Sequence, residues 1–369
     1  MKGVEVVEPL IVGAGPVGLT AALLLTERGI RARIIDKLPE PSPYSKAFGV
    51  NPRTLTLLEH TGVTEQMLAQ GWRMSAINVW KRERRLFRLE LSGVNHKYPF
   101  MLIYSQAKSE ALLSDALAGR GIQVERDVAL EVLEMHPDYA KVTLRHCDGQ
   151  QEDVSTPGLL GADGSRSIVR TSLGIPFMGA SFEEPWTLYD LELDPPLNRN
   201  EAHAFLLEGG GMFMVRLDDR LWRVIGNLPD LLEHLPKGTT VGQTAWESDF
   251  GISSRLAERF QEGCAYLAGD AAHIHSGLGA RGMNLGVEDA YVFAALAAEG
   301  RLHDYERLRR PVDAAVVRQT ERITEVPRGK KRFAKVMRTL APFAAPFIPL
   351  AGKGASRWVL GLDHEVALR

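Results

Sequence analysis

Two stretches of this chain combine residue types and spacings that could do chemistry. Gly13, Gly15 and Gly18 form a G-x-G-x-x-G run enclosing Pro16 and Val17, and residues 269–284 read GDAAHIHSGLGARGMN. A glycine turn that opens a helix exposes backbone amides, and the helix dipole gives them partial positive charge. The first run therefore suits a diphosphate held without any lysine. In that role Gly13 makes the tight turn, Gly15 admits a pyrophosphate to the backbone, and Gly18 lets helix and strand pack closely. A carboxylate at Asp36 accepts two ribose hydroxyls and repels a 2′-phosphate, which favours FAD or NAD over NADP at this first site.

The second stretch places a His-x-His pair beside an aspartate, which raises the question of a metal. Zinc or iron takes three or four ligands from His, Cys and carboxylates, yet the other eight histidines are scattered singly and Cys147 and Cys264 lie far apart. No metal is expected. Residues 265–268 instead read as an apolar strand delivering Gly269-Asp270, and the loop through Gly282 feeds a helix beginning near Asn284, a second cradle for an anion or a polar ring. Residues 161–170, GADGSRSIVR, set Asp163-Gly164 after the apolar Leu159-Leu160. Alone, that pair fits a plain turn into a helix with Ser165 as cap as well as it fits a site.

The elements that must position these residues follow from pattern. Residues 9–12 form a short apolar strand, 17–28 a helix of mostly apolar helix formers, and 30–36 an alternating strand, with Gly29 at the helix carboxyl cap. That order is a βαβ unit. Helices are expected over 53–60 and 105–117, and again from 286 to 324. Between about 181 and 250 alternating runs meet at Gly209-Gly210-Gly211 and Asp218-Asp219, the pattern of an antiparallel sheet. The nucleotide-type segments thus bracket an inserted sheet.

At 369 residues the chain is long enough for two structural parts, and no repeat or low-complexity tract interrupts it. Lys+Arg against Asp+Glu is 44 to 46, with a formal net charge of −2, so there is no cationic excess for nucleic acid. Two cysteines make no disulfide framework, which points to a reducing, cytoplasmic setting. The start of the chain does not read as a secretory signal. The apolar stretch 340–351 is about half the roughly 20 residues that span a bilayer and is broken by Pro342, Pro346 and Pro349. A proline-kinked element packed on the body is expected there, with a greasy contact as the alternative.

Taken in order and at these separations, Gly13 to Gly18, Gly161 to Arg170 and Gly269 to Asp289 resemble the three fingerprints of the FAD-dependent aromatic hydroxylases. These are the para-hydroxybenzoate hydroxylase-like, group A flavoprotein monooxygenases. SKAFGVNPRTLTLLEHTGV and Gln106 also look like features of that family, and the resemblance covers roughly residues 8 to 325. It implies an α/β fold: a Rossmann-like FAD-binding domain (1–75, 100–180 and 260–300) interleaved with an antiparallel β-sheet substrate domain (76–99 and 181–259), then C-terminal helices (301–369). It further implies that Gly13, Gly15 and Gly18 hold the pyrophosphate, that Asp36 takes the adenosine ribose, and that Gln106 and Asp270 lie along the linker to the flavin. Asp163-Gly164 would serve both FAD and a transient NADH or NADPH, docked near Lys46 and Arg166. Backbone groups of Gly282, Met283 and Asn284 would face the pyrimidine edge of the ring, and Lys37, Lys46 and Val128 complete the expected cofactor contacts.

The implied reaction is reduction of FAD by NAD(P)H, addition of O2, and transfer of OH from a flavin C4a-hydroperoxide to an aromatic or polyketide-like small molecule. The protein then has to hold the substrate and exclude water, and Tyr189, Met212, Phe213, Met214 and Trp222 of the inserted sheet are the candidates for that side. The catalytic residue is unassigned; His275 and Lys46 are the candidates. Two positions depart from the family pattern. Lys46 stands where an arginine is usual and so offers a point charge in place of a fork, and Gly277 stands where a proline is usual and loosens the loop. A prenyl-chain reductase on the same scaffold and a flavin-binding regulator without turnover are the alternative functions, and a homodimer is left open.

Overall fold

The structure, a computed structural model, describes residues 8–42, 47–277, 279–328 and 348–369. Lys46 and most of the apolar stretch 340–351 lie outside the described residues. Leu10–Val12 forms a strand buried on both faces, which explains its unbroken apolar run. Gly13 follows at φ +104°, a conformation L side chains rarely adopt. Pro16–Thr26 is the first helix, with proline at its start where the missing N–H costs no hydrogen bond. Gly29 closes it at φ +76°, and Arg33–Asp36 completes the βαβ unit beside the first strand.

Six strands build this first sheet, in the order Gln261–Glu262, Ala265–Leu267, Leu159–Gly161, Leu10–Val12, Arg33–Asp36 and Glu125–Arg126. All neighbours are parallel except the Gln261–Glu262 edge. The helix Pro16–Thr26 packs on this sheet and against both Gln106–Ala118 and Arg281–Ala298. Gln106–Ala118 starts from Ser105, whose hydroxyl accepts from the Lys108 amide. The largest apolar core lies between this sheet and its helices, from Leu10 and Leu23 to Phe293 and Tyr305.

The inserted sheet has eight strands, ordered His273–Ile274, Thr240–Ala257, Phe177–Asp194, Leu221–Gly226, Gly210–Arg216, Ala202–Leu207, Ala76–Lys81 and Arg84–Glu90. The hairpin expected at Gly209-Gly210-Gly211 is present, with Leu207 opposite Gly210. The sheet is antiparallel except where Ala202–Leu207 runs parallel to Ala76–Lys81. A long excursion through the first domain separates those two strands in sequence, so no hairpin constrains their direction. His273–Ile274, part of the third motif, pairs with Arg255 and Leu256 and ties the two sheets together. Among the described residues there are also two three-stranded sheets.

Alternation gives the eight-stranded sheet two unlike faces. Met212, Met214, Trp222 and Val224 point into one core with Leu191, Phe205 and Leu231, and Tyr189 packs against it. Val215 faces the other way, into a cluster with Met101 and Trp358 against which Phe48 and Phe213 pack.

Candidate functional site

Three loops converge because three strands end in register. Val12 is paired with Gly161, and Gly161 with Leu267, so the turns that follow each strand leave the same carboxyl edge. Ligands of open α/β sheets bind at this edge. Backbone hydrogen bonds fix the loops: Gly13 N–H to Ile35 O at 2.8 Å, Ala162 N–H to Val12 O at 2.8 Å, and Ala268 N–H to Gly161 O at 3.0 Å.

A cleft of about 640 Å³ opens between them. Gly13, Gly15, Pro16, Val17, Asp36, Lys37, Gln106, Val128, Asp163, Gly164, Asp270, Gly282 and Met283 all line it, as do Ala47 and Arg166. Gly18 and Asn284 are not part of its wall, and Lys46 is not among the described residues. A Cβ on Gly18 would lie 1.9 Å from Gly13 O, so this glycine serves close helix–strand packing. A Cβ on Gly13 would lie 2.4 Å from Ala162 O, which is how the first and second motifs come to touch. Around Gly15 there is open space, with no heavy atom within 4 Å of a Cβ position. A diphosphate-sized group could therefore approach the backbone there, at the amino end of the Pro16–Thr26 helix.

Asp36 is held by two amides: Oδ2 accepts from Ala14 N at 2.7 Å and Oδ1 from Leu38 N at 2.9 Å. A carboxylate has lone pairs left for two more donors, so a ribose hydroxyl can still be accepted. Gln106 donates from Nε2 to Glu110 Oε1 at 2.8 Å. Asp163 Oδ2 accepts from the amides of Ile168 (2.7 Å) and Val169 (3.2 Å), and its Oδ1 is buried without a partner among the described residues. Burial pushes this carboxyl above its ordinary value. The helix Ile168–Ser172 is capped by Ser167, whose Oγ accepts from Arg170 N at 2.9 Å; Ser165, expected in that place, contributes only its carbonyl, to Arg170.

The Asn284 side chain is buried and fully used. Oδ1 accepts from Asn51 N (3.0 Å) and Thr54 Oγ1 (2.7 Å), and Nδ2 donates to Gly49 O (2.8 Å) and Ala280 O (2.6 Å). It ties the Arg281–Ala298 helix to the segment after Ala47. Beneath the third motif lies a buried ionic cluster that the sequence reading did not identify. Asp289 accepts from Gly269 N (2.9 Å), His273 Nε2 (2.7 Å) and Arg309 Nε (2.7 Å), while Arg309 Nη2 reaches Asp313 at 2.6 Å. His273, Asp289 and Asp313 have metal-like spacing, but the Arg309 guanidinium spans the two carboxylates and supplies positive charge between them. Burial alone would raise Asp289, yet Arg309 and His273 hold it well below the usual carboxylate range. Burial also opposes charge on His273, but Asp289 and Asp313 outweigh it and lift the imidazole to about 9. The i, i+4 spacing of Arg309 and Asp313 on a helix was the one available signal.

Of the candidates for the substrate side, Met212, Met214 and Trp222 are within 2% of full burial in the core on the far face of the eight-stranded sheet. Phe213 turns toward the first domain and stacks on Phe48 with ring centroids 6.4 Å apart. Arg223 shares that face, paired with Asp190 at 2.7 and 2.6 Å and lying over the Phe48 ring. The chain end closes over the Arg281–Ala298 helix: Arg281 donates to Trp358 O (2.6 Å) and Asp363 (2.9 Å), and His364 meets Glu288 at 2.7 Å. Among the described residues no helix is long and apolar enough to cross a membrane.

The family model described as FAD binding domain matches residues 6–225 and 227–320. The chain belongs to that family. It is 34% identical over 357 residues to 6-methylpretetramide 4-monooxygenase of Streptomyces rimosus, covering 91% of this chain and 64% of that protein. It is 30% identical over 348 residues to pentachlorophenol 4-monooxygenase of Sphingobium chlorophenolicum, covering 87% of this chain and 65% of that one. The chain thus spans just under two thirds of the length of those relatives. The crystal structure of p-nitrophenol 4-monooxygenase from Pseudomonas putida DLL-E4 superposes with a TM-score of 0.85 at 21% identity, over 98% of this chain and 99% of the other. That likeness establishes the fold, an α/β architecture with a parallel Rossmann-like sheet and a mixed, mainly antiparallel second sheet.

Proposed function

We propose that this chain holds FAD in the cleft and, with NAD(P)H and O2, hydroxylates an aromatic or polyketide-like small molecule. The observation that carries the reading is the convergence of three glycine-bearing turns on one cleft, with open space at Gly15 and a carboxylate at Asp36. The names of the monooxygenase relatives support the reaction class. The sum is NAD(P)H, H⁺, O2 and substrate giving NAD(P)⁺, water and a hydroxylated product. When bound, FAD supplies the hydride acceptor and the activation of oxygen.

The chain's own residues bind and orient. Amides at the start of the Pro16–Thr26 helix hold the pyrophosphate, Asp36 and Lys37 the adenosine end, and Gln106 and Asp270 the linker. Gly282 and Met283 present backbone to the ring, and Asp163-Gly164 with Arg166 offers the transient nicotinamide a docking edge. The substrate ring belongs on the Phe48 and Phe213 side of the eight-stranded sheet. There two apolar rings exclude water, and Arg223 is already neutralised by Asp190, which suits an uncharged aromatic ligand.

The test is to reconstitute the protein with FAD and follow NAD(P)H oxidation, O2 uptake and product mass across a panel of phenols and polycyclic aromatics. Stimulated oxidation with O2 uptake and a product heavier by one oxygen supports the proposal. NAD(P)H oxidation without O2 uptake, with saturation of a ligand double bond, would favour the reductase alternative.

A further inference from the structure

His275 follows the strand His273–Ile274 and has an ordered hydrogen-bond chain behind it. Thr324 Oγ1 donates to Thr320 O at 2.7 Å, so Ser276 Oγ donates to Thr324 Oγ1 across 2.5 Å, and Ser276 is pinned. The Ser276 carbonyl lies 2.8 Å from His275 Nδ1. A carbonyl only accepts, so Nδ1 carries the proton and Nε2 is a bare acceptor. Nε2 is buried and has no hydrogen-bond partner among the described residues. Protonation does not relieve it. Burial pushes the imidazole down to about 4 despite the Ser276 contact, and the positive charges of His273 and Arg281 act in the same direction.

The ring lies directly behind the cleft wall: Cε1, bonded to Nε2, is 3.9 Å from the Cβ position of Gly282, which lines the cleft at the start of the Arg281–Ala298 helix. The fold thus holds, directly behind the cleft wall, a neutral acceptor in one fixed tautomer to which no described residue donates. An oxidised flavin ring carries many acceptors and one N–H. We infer that His275 Nε2 accepts the hydrogen bond of that ring N–H and positions the flavin at the Gly282 end of the cleft. This rests on the reading that FAD occupies the cleft.

The probes are FAD and 3-methyl-FAD, whose ring N–H is replaced, titrated into apoprotein by fluorescence quenching. The proteins are wild type, His275→Phe, which keeps a ring but no acceptor, and His275→Gln, whose amide oxygen can stand near Nε2. One neutral hydrogen bond corresponds to a roughly three- to ten-fold change in Kd. FAD should bind that much more weakly to H275F and close to normally to H275Q, while 3-methyl-FAD should bind wild type and H275F alike. Equal weakening of both flavins by H275F, or no weakening of either, overturns the assignment while leaving the cofactor reading intact. Failure of wild-type apoprotein to bind FAD at all overturns both.

Discussion

Replacing Asn284 by alanine removes a buried side chain that makes four hydrogen bonds, three of them buried: two accepted, from Asn51 N and Thr54 Oγ1, and two donated, to Gly49 O and Ala280 O. A typical hydrogen bond contributes a net ~0.5–1.5 kcal/mol, and buried partners left unpaired cost more than the bond alone. Four such bonds, partly relieved by relaxation of Thr54, give an expected loss of about 3 kcal/mol in Asn284→Ala. Asn284→Asp should be worse, because it keeps the acceptor oxygen but turns a negative charge onto two carbonyls. The assay is equilibrium urea unfolding of apoprotein followed by tryptophan fluorescence, read as a lower midpoint at unchanged slope. A double-mutant cycle with Thr54→Val should return about 1 kcal/mol of coupling. A loss below about 1 kcal/mol in N284A, or no coupling to Thr54, would refute the assignment of this side chain as the tie between helix and loop.

Gly13→Ala places a Cβ 2.4 Å from Ala162 O at φ +104°, so the variant should be recovered with little or no FAD; normal FAD content by absorbance would show that the two motifs can part without loss. Arg309→Met leaves Asp289 and Asp313 with only the His273 imidazolium as a buried cation and should cost about 3–5 kcal/mol by denaturant midpoint. pH acts in two windows. The His273 pKa is raised to about 9 against the usual 6.5, so its contribution is complete below 6.5 and is lost as pH rises toward 9. His275 is lowered to about 4, so the unfolded chain binds the proton first, and stability falls as pH drops from 6.5 to 4. His275→Gln should flatten that acid limb in stability-against-pH curves while leaving the alkaline limb unchanged.

What could be read from the sequence followed from local constraints. Gly13 and Gly18 were assignable because a turn and a close helix crossing admit no side chain, and the apolar strands before each motif announced where the loops would emerge. Ties between distant segments left no comparable trace: Asn284 meets Asn51 and Thr54 across more than 200 residues, and His273 meets Asp313 from separate elements. The eight-stranded sheet shows a different limit. Its central strand Gly210–Arg216 is apolar on both faces, so period two separates Met212 and Met214 from Phe213 and Val215 without saying which set faces the first domain. The cap of the Ile168–Ser172 helix, expected at Ser165, is Ser167, a difference fixed by which hydroxyl meets an amide.

The most direct test of the account is an absorption titration of purified, folded apoprotein with FAD. The convergence of the three glycine-bearing turns predicts saturable uptake of one FAD per chain, a yellow protein with a perturbed flavin spectrum, and loss of that uptake in G13A. A folded chain that stays colourless in excess FAD would contradict it.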